Sequence, residues 1–286
     1  MSSRRFLIQI LSVLAAILIS LLVIGQLLTG PASTAVGTLV TDFPAKPVQF
    51  PADAEFPVHG WLVYGEPDKG VVLLVHSIRS NRLEMLSRAR FLNERGYSVL
   101  LIDLQAHGES PGKRITFGAR ESESVDAAVA FLRETFPREK IGAIGVSLGA
   151  AAIVLAKHAI KLDAVILESL HPTVEEAVEN RLKLHFGEHG SALLPLILFQ
   201  FSFYLDIPIG ELSPITEIDN LNIPLLLISG TNDAHTTLPE TERLFAAARE
   251  PKEIWIIPGA GHFNMHSYAG RTYEDRTLAF LFQHLR

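Results

Sequence analysis

The chain contains no cysteine. That excludes disulfides, thiolate nucleophiles, cysteine-bound zinc, iron–sulfur clusters and lipid attached through a cysteine. It also lacks the G-x-G-x-x-G, P-loop and H-E-x-x-H patterns, so no dinucleotide, nucleotide triphosphate or zinc-protease site is indicated. His185 and His189 lie four residues apart, but Gly187 and Gly190 weaken any helix that would bring them together, and neither a metal nor another cofactor is expected. No N-x-S/T sequon occurs, which favours a bacterial envelope over a eukaryotic secretory lumen. Charge is sparse at 20%, with 25 basic against 31 acidic residues and a net charge of −6. The bases are scattered, so the sequence carries no footprint for a nucleic-acid partner.

Apolar residues dominate instead. They make up 48% of 286 residues, and the mean hydropathy of +0.26 is high for a purely soluble chain. The excess has an address. From Phe6 to Thr41 there is no Asp, Glu, Lys or Arg, and Phe6 to Leu28 is a 23-residue run broken only by Gln9, Ser12, Ser20, Gly25 and Gln26. As a helix it would span about 34 Å, enough for a hydrocarbon slab of about 30 Å. Arg4 and Arg5 precede it and the next basic residue is Lys46, a bias that keeps the N-terminus cytoplasmic and sends the rest across. Residues 1–30 are therefore expected to be a signal anchor in a single-pass membrane protein whose catalytic domain is extracytoplasmic. The competing reading is a cleaved signal ending near Ser33-Thr34-Ala35, with secretion of the remainder; the run is long for that. Residues 31–57, rich in Pro, Ala, Thr and Gly, read as a tether, leaving 58–286 as one folded domain.

Beyond Val58, short β-branched runs alternate with longer segments of helical period. Val71–Val75, Ser98–Leu104, Ile141–Val146, Ala164–Leu167, Leu225–Ile228 and Ile254–Ile257 read as buried strands. Leu83–Glu94 and Val125–Phe136 carry apolar stripes at helical spacing. The expected class is α/β, a mostly parallel sheet covered by helices on both faces, with ligands bound beyond the carboxyl ends of its strands. Residues 171–213 break the rhythm with two helical pieces and the greasy stretch LLPLILFQFSFYL, and are expected to form a small helical lid facing an apolar substrate or the membrane.

Gly145-Val146-Ser147-Leu148-Gly149 has the form G-x-S-x-G between the strand IGAIGV and the helical run AAAIVLAKHA. A serine on such a turn is lifted to the edge of the sheet, and the glycines let strand and helix backbones approach. The helix that follows directs its first N–H groups toward the serine oxygen.

This motif, with others in the same order, resembles the α/β-hydrolase family over about 58–286. His76-Ser77 stands where the family usually has His-Gly, Asp103-Leu104-Gln105-Ala106-His107-Gly108-Glu109-Ser110 is similar to its D-x-x-G-H-G-x-S turn, Gly230-Thr231-Asn232-Asp233 closes a late strand, and Gly259-Ala260-Gly261-His262 follows the last. The resemblance implies Ser147 as nucleophile, His262 as general base and Asp233 as the acid that orients it, in the family's chain order. Glu168, at the end of another strand, is an alternative acid, and His266 an alternative base. Asp103 and His107 read as loop-holding residues, and His235 as either a pocket or a loop histidine. The oxyanion donors implied are the backbone N–H groups of Leu148 and Ile78. Two departures bear on them: Ser77 and Ala106 replace glycines, and a positive φ at Ser77 would strain the loop before Ile78. Arg79, Arg82 and Glu84 are expected to form surface pairs, with Asn81 and Glu84 at capping spacing.

The implied activity is serine hydrolysis of a carboxylic ester or thioester, the partner being a small and apolar acyl compound, with the membrane bound through the N-terminal helix. A peptidase or amidase of the same fold, or a non-catalytic binding or scaffold protein that retains the fold, are the alternatives.

Overall fold

The computed structural model describes residues 2–37, 43–52, 56–156 and 161–286. Its strands are β1 (Ala32–Ser33), β2 (Lys46–Pro51), β3 (Pro57–Val63), β4 (Val71–Val75), β5 (Ser98–Ile102), β6 (His107–Gly108), β7 (Ile141–Val146), β8 (Ala164–Glu168), β9 (Leu225–Gly230) and β10 (Lys252–Ile257). Its α-helices are α1 (Ser2–Thr29), α2 (Leu86–Glu94), α3 (Glu121–Thr135), α4 (Leu148–Val154), α5 (Val174–Phe186), α6 (Leu194–Leu205), α7 (Pro214–Glu217), α8 (Leu238–Ala247), α9 (Met265–Ala269) and α10 (Arg271–His284).

Eight strands form one sheet in the order β10-β9-β8-β7-β4-β5-β3-β2. The six from β10 to β5 are parallel, as their uninterrupted apolar runs predict; β3 and β2 are antiparallel at one edge. Alternate residues feed two cores. Val71, Leu73 and Val75 pack with α3, α4 and α8, while Val72 and Leu74 pack with α2 and α10. The chain runs from β4 outward to β5, then returns to β7 on the other side of β4. The sheet therefore has its topological switch point between β4 and β7, the place where sheets of this kind leave a crevice beyond the strand ends.

Segment 31–57, expected as a tether, is instead built partly into the fold. Ala32 and Ser33 pair in parallel with His107 and Gly108, and β2 completes the sheet edge because Phe50 is buried and stacks on Phe131 of α3 at 4.7 Å between ring centres. Proline and lysine in KPVQFP suit an edge strand but hide it from a search for apolar runs. Helix α3 starts at Glu121, four residues before its apolar stripe. The Glu121 carboxylate accepts hydrogen bonds from the Thr116 N–H, the Thr116 hydroxyl and the Gly118 N–H, closing the turn ahead of the helix.

The apolar run does form one 28-residue helix, α1. Among the described residues, however, no helix is long and apolar enough to cross a membrane, so the spanning reading draws on the sequence and not on the structure. The last turns of α1 are docked. Gln26 and Thr29 accept hydrogen bonds from Arg114, the Thr29 carbonyl accepts from the Ile115 N–H, and the Tyr204 hydroxyl of α6 donates to the Leu22 carbonyl. The 171–213 insertion contains α5 and α6 and has its own small core of Val174, Ile197, Phe201, Leu205 and Leu212, capped by Phe117 stacked on Phe201 at 4.5 Å. Its outer surface exposes Phe199 and Phe203.

One buried ion pair ties the two ends of the domain together. Arg88 of α2 donates to both carboxylate oxygens of Glu168, at 3.0 and 2.6 Å, and the Tyr273 hydroxyl of α10 donates to the same carboxylate at 2.6 Å. All three side chains are fully buried. Removing one partner leaves a charge stranded in the core, so Glu168→Ala is expected to cost about 3–5 kcal/mol in urea denaturation. The double variant Arg88→Met/Glu168→Leu, which strands no charge, is expected to recover most of that loss.

Candidate active site

Ser147 sits on the turn between β7 and α4 with φ 51° and ψ −108°, a left-handed backbone that a non-glycine residue adopts only when its surroundings impose it. The surroundings are explicit. A Cβ on Gly145 would lie 2.7 Å from the backbone of Gly149 and Ala150, and one on Gly149 would lie 2.4 Å from the Val75 carbonyl oxygen. Strand and helix therefore meet without side chains between them, and the start of α4 is pressed against the end of β4. The turn is pinned by the Ser147 N–H to the Glu168 carbonyl at 2.8 Å.

Asp233 lies three residues past β9 and His262 five past β10, both beyond the carboxyl ends of their strands, which follow β7 and β8 in the sheet. The His262 Nδ1 is 2.9 and 3.1 Å from the two carboxylate oxygens of Asp233. The same carboxylate accepts from the N–H groups of His235 and Thr236, each at 2.9 Å, and from the Ser169 hydroxyl at 2.9 Å. Burial pushes the Asp233 carboxyl up, but the His262 ring, the Thr236 N–H and the Ser169 hydroxyl outweigh it, and the group lies below the usual carboxylate range. An ionised, four-fold bonded carboxylate fixes the imidazole with its proton on Nδ1. Nε2 of His262 and the hydroxyl of Ser147 have no hydrogen-bond partner among the described residues.

The alternatives weighed on sequence are placed elsewhere. Glu168 points to the opposite face of the sheet, where Arg88 and Tyr273 consume it; strand alternation sends Leu167 to one core and Glu168 to the other. His266 is held between the Ser87 hydroxyl and the Glu274 carboxylate, both at 3.0 Å. Asp103 binds the backbone N–H groups of Arg82 and Glu109, and the His107 ring bonds the Gln105 carbonyl, both within loops. Arg82 is not a surface residue: it is buried, paired with Asp103 and Glu109, and lies over the Trp61 ring. Asn81 caps the following turn as expected, but Glu84 binds the N–H and hydroxyl of Ser77.

That last contact explains how the loop after β4 tolerates Ser77. The left-handed residue of this loop is Arg79, with φ 57°, and Ser77 escapes positive φ; the strain foreseen at Ser77 is found at Ala106, with φ 60°. His76 anchors the loop. Its Nε2 accepts the Leu104 N–H at 3.1 Å, which places its proton on Nδ1, where it donates to the Ser77 carbonyl at 2.7 Å. The backbone N–H of Ile78 has no partner among the described residues, and the loop bearing it leaves β4 where Gly149 touches Val75 and His76. Ile78 and Leu148 thus flank the switch-point crevice.

Sequence reading passed over Ser169, Thr236, His171 and Arg181. Ser169, with φ 49°, follows β8 by one residue, so strand-end logic stopped one position short at Glu168. Thr236 also donates through its hydroxyl to the Ser169 carbonyl at 3.3 Å. The His235 ring lies 4.8 Å from that of His262. No group of three or more His, Asp or Glu side chains among the described residues is placed to hold a metal ion.

Residues 58–275 match the alpha/beta hydrolase family. The chain belongs to that family. Among its relatives, the uncharacterized protein YqkD of Bacillus subtilis is 26% identical over 235 residues, covering 81% of this chain and 77% of that one. The uncharacterized protein Rv2307c of Mycobacterium tuberculosis is 29% identical over 204 residues, 71% of this chain and 65% of that one. Of solved structures, the Pyrococcus furiosus esterase Pf2001 superposes with a TM-score of 0.74 at 23% identity, covering 91% of this chain and 99% of that one. An esterase from Exiguobacterium antarcticum gives 0.63 at 12% identity, over 82% and 99%. At these identities the structural likeness establishes the hydrolase fold.

Two histidines of this hydrolase are held neutral. Burial drives His76 and His171 each down to about 3, helped in His76 by His107 and in His171 by Arg181. The unfolded chain protonates them below about 6.5, so between roughly pH 6.5 and pH 3 it binds more protons than the folded state. Stability is whole above that window and falls as pH drops through it. Each histidine is expected to remove about 2 kcal/mol between pH 7 and pH 5. Urea midpoints of the wild type and of His76→Gln at the two pH values check this: the variant's loss should be smaller by one histidine's share.

Proposed function

We propose that this alpha/beta hydrolase cleaves a carboxylic ester or thioester through an acyl-enzyme, with Ser147 as nucleophile, His262 as base and Asp233 as the orienting acid. The observation that carries the reading is the Asp233–His262 pair, at 2.9 Å, on the same rim of the sheet as a serine held at φ 51° on a glycine-flanked turn. Ser147 Oγ attacks the acyl carbon while His262 Nε2 takes its proton. The oxyanion forms between the N–H groups of Leu148 and Ile78, donors of a kind commonly worth about 3–4 kcal/mol each. Collapse expels the alcohol or thiol, which takes the proton back from His262. Water, deprotonated by His262, then attacks the acyl carbon, releases the acid and restores Ser147.

A fluorophosphonate probe tests the nucleophile in the full chain, since α1 packs on the insertion. Labelling that disappears in Ser147→Ala is expected; a folded wild type that never labels overturns the assignment. Asp233→Asn and His262→Ala should each lower ester hydrolysis by about 10⁴-fold with little change in melting temperature.

The reading extends to location. The 23-residue apolar run and the Arg4-Arg5 pair support an anchor with a cytoplasmic N-terminus and an extracytoplasmic catalytic domain. Cleavage after Ala35 is disfavoured by its surroundings, since Ala32 and Thr34 donate to the carbonyls of Ala106 and Gly108 at 2.8 and 2.9 Å. A phosphatase reporter fused to the C-terminus is expected to be active only outside the cytoplasm. Activity of a cytoplasm-only reporter at the same position would reverse the orientation.

A further inference from the structure

The polar side of the candidate site carries a positive charge that the acyl-transfer scheme does not use. Helix α5 begins at the Thr173 cap, whose hydroxyl accepts the Glu176 N–H, and lies across the loop that holds Asp233: Asn180 donates to the His235 carbonyl at 3.2 Å and to Glu240 at 2.8 Å. Arg181 is the next residue. It is half-buried, and it folds back along its helix to donate from Nη1 to the Ala177 carbonyl at 2.8 Å. Among the described residues it has no carboxylate partner. Two of the three acids on its own helix are paired, Glu176 with Arg243 and Glu179 with Lys183, and Glu240 is bound by Asn180 and the Thr237 N–H. Positions 177, 178, 184 and 185, its neighbours on the helix surface, hold no acid.

The groups around it are imidazoles. His171, at the root of the insertion, is 7% exposed, and its Nε2 is buried with no partner among the described residues. The His235 ring lies tilted against that of His262, and its own Nδ1 is likewise buried without a partner among them. Arg181 acts electrostatically on both His171 and His235, depressing each, while burial draws its own guanidinium down against the pull of Asp233. A partly desolvated guanidinium and a buried imidazole nitrogen that has no partner among the described residues, with the ring proton on Nε2, are what a carboxylate or phosphate oxygen would satisfy.

Accepting the ester-hydrolase reading, we propose that Arg181, with Nε2 of His171, forms an oxyanion-binding subsite beside Asp233 and His262, and that the substrate is an ester bearing a carboxylate or phosphate substituent. Asp233 is spent on His262 and three further hydrogen bonds, so the charge left to recognise the substrate is that of Arg181.

The experiment compares 4-acetoxybenzoate with its methyl ester, using the full chain in detergent. Wild type is expected to favour the anionic ester in kcat/KM. That preference should fall about tenfold or more in Arg181→Met and return in part in Arg181→Lys. A preference unchanged in Arg181→Met overturns the proposal. Calorimetric titration with benzoate, phenylphosphonate and benzamide reads the subsite without turnover. One of the two anions should bind wild type and lose at least tenfold in Arg181→Met, while benzamide binds both alike; which anion binds more tightly separates carboxylate from phosphate recognition. Anion binding that is absent, or equal in the variant, overturns the subsite. A chain that hydrolyses neither ester yet binds an anion through Arg181 would refute the hydrolase reading and leave the subsite standing.

Discussion

The backbone of α4 lies so close to the ends of β7 and β4 that neither Gly145 nor Gly149 has room for a side chain. This close approach decides the rest of the site. It forces the residue between them into a left-handed conformation, which lifts the Ser147 side chain out of the sheet at its carboxyl edge. It also brings the start of α4, with its unpaired first N–H groups, against the loop that follows β4. The switch point of the sheet provides a crevice in any fold of this order, and here the loop bearing Ile78 and the start of α4 at Leu148 come together beside it. Three alanines in α4, all fully buried, continue the close packing away from the turn.

The second constraint is electrostatic. Asp233 is buried, and an ionised carboxylate in such a place costs several kcal/mol unless its oxygens are engaged. Four donors engage them, and the two that come from backbone, at residues 235 and 236, are supplied by the same tight loop that carries the aspartate. The carboxylate is thereby stable as an anion before any substrate arrives, and His262 is oriented by it and not by solvent. Glu168 illustrates the opposite use of the same chemistry. One residue from Ser169 along the chain, it is turned to the far core, where a guanidinium and a phenol neutralise it for the sake of packing α2 against α10.

What could be read in the sequence divides along physical lines. Strands buried on both faces announce themselves as apolar runs, so β4, β5, β7, β8 and β9 were legible, as were the apolar Ile254–Ile257 of the edge strand β10 and the turn bearing Ser147, because close backbone approach demands glycine at fixed positions. The antiparallel strands β2 and β3 were not: β2, at the sheet edge, leaves most of its residues exposed, and Lys, Pro and His interrupt the apolar pattern of the two. In the site, Asp233 and His262 were legible as polar residues at strand ends in the expected order. Ser169 and Arg181 were not: one acts through a hydroxyl that any loop serine possesses, and the other reaches the site from a helix whose position no local pattern fixes. The strain foreseen at Ser77 failed to appear because its hydroxyl and N–H find Glu84, a partner seven residues on, and the loop moves its left-handed residue to Arg79.

The N-terminal helix is not an appendage to this arrangement. Its last turn is buried at Thr29 and hydrogen-bonded to Arg114, whose guanidinium also lies 4.5 Å over the Tyr204 ring of α6. Farther back, α1 exposes Phe6, Leu7, Leu11, Val13 and Ile19, and α6 exposes Phe199 and Phe203. Two helices packed together, each with large apolar side chains uncovered, must share one environment, because exposing either to water carries the same penalty per unit area. Whatever accommodates α1 therefore also bears on α6. Since α6 packs through Phe201 and Ile197 against Val174 at the start of α5, and α5 carries Arg181 over the Asp233 loop, the surroundings of the N-terminal helix are coupled to the polar wall of the site through three consecutive packing contacts.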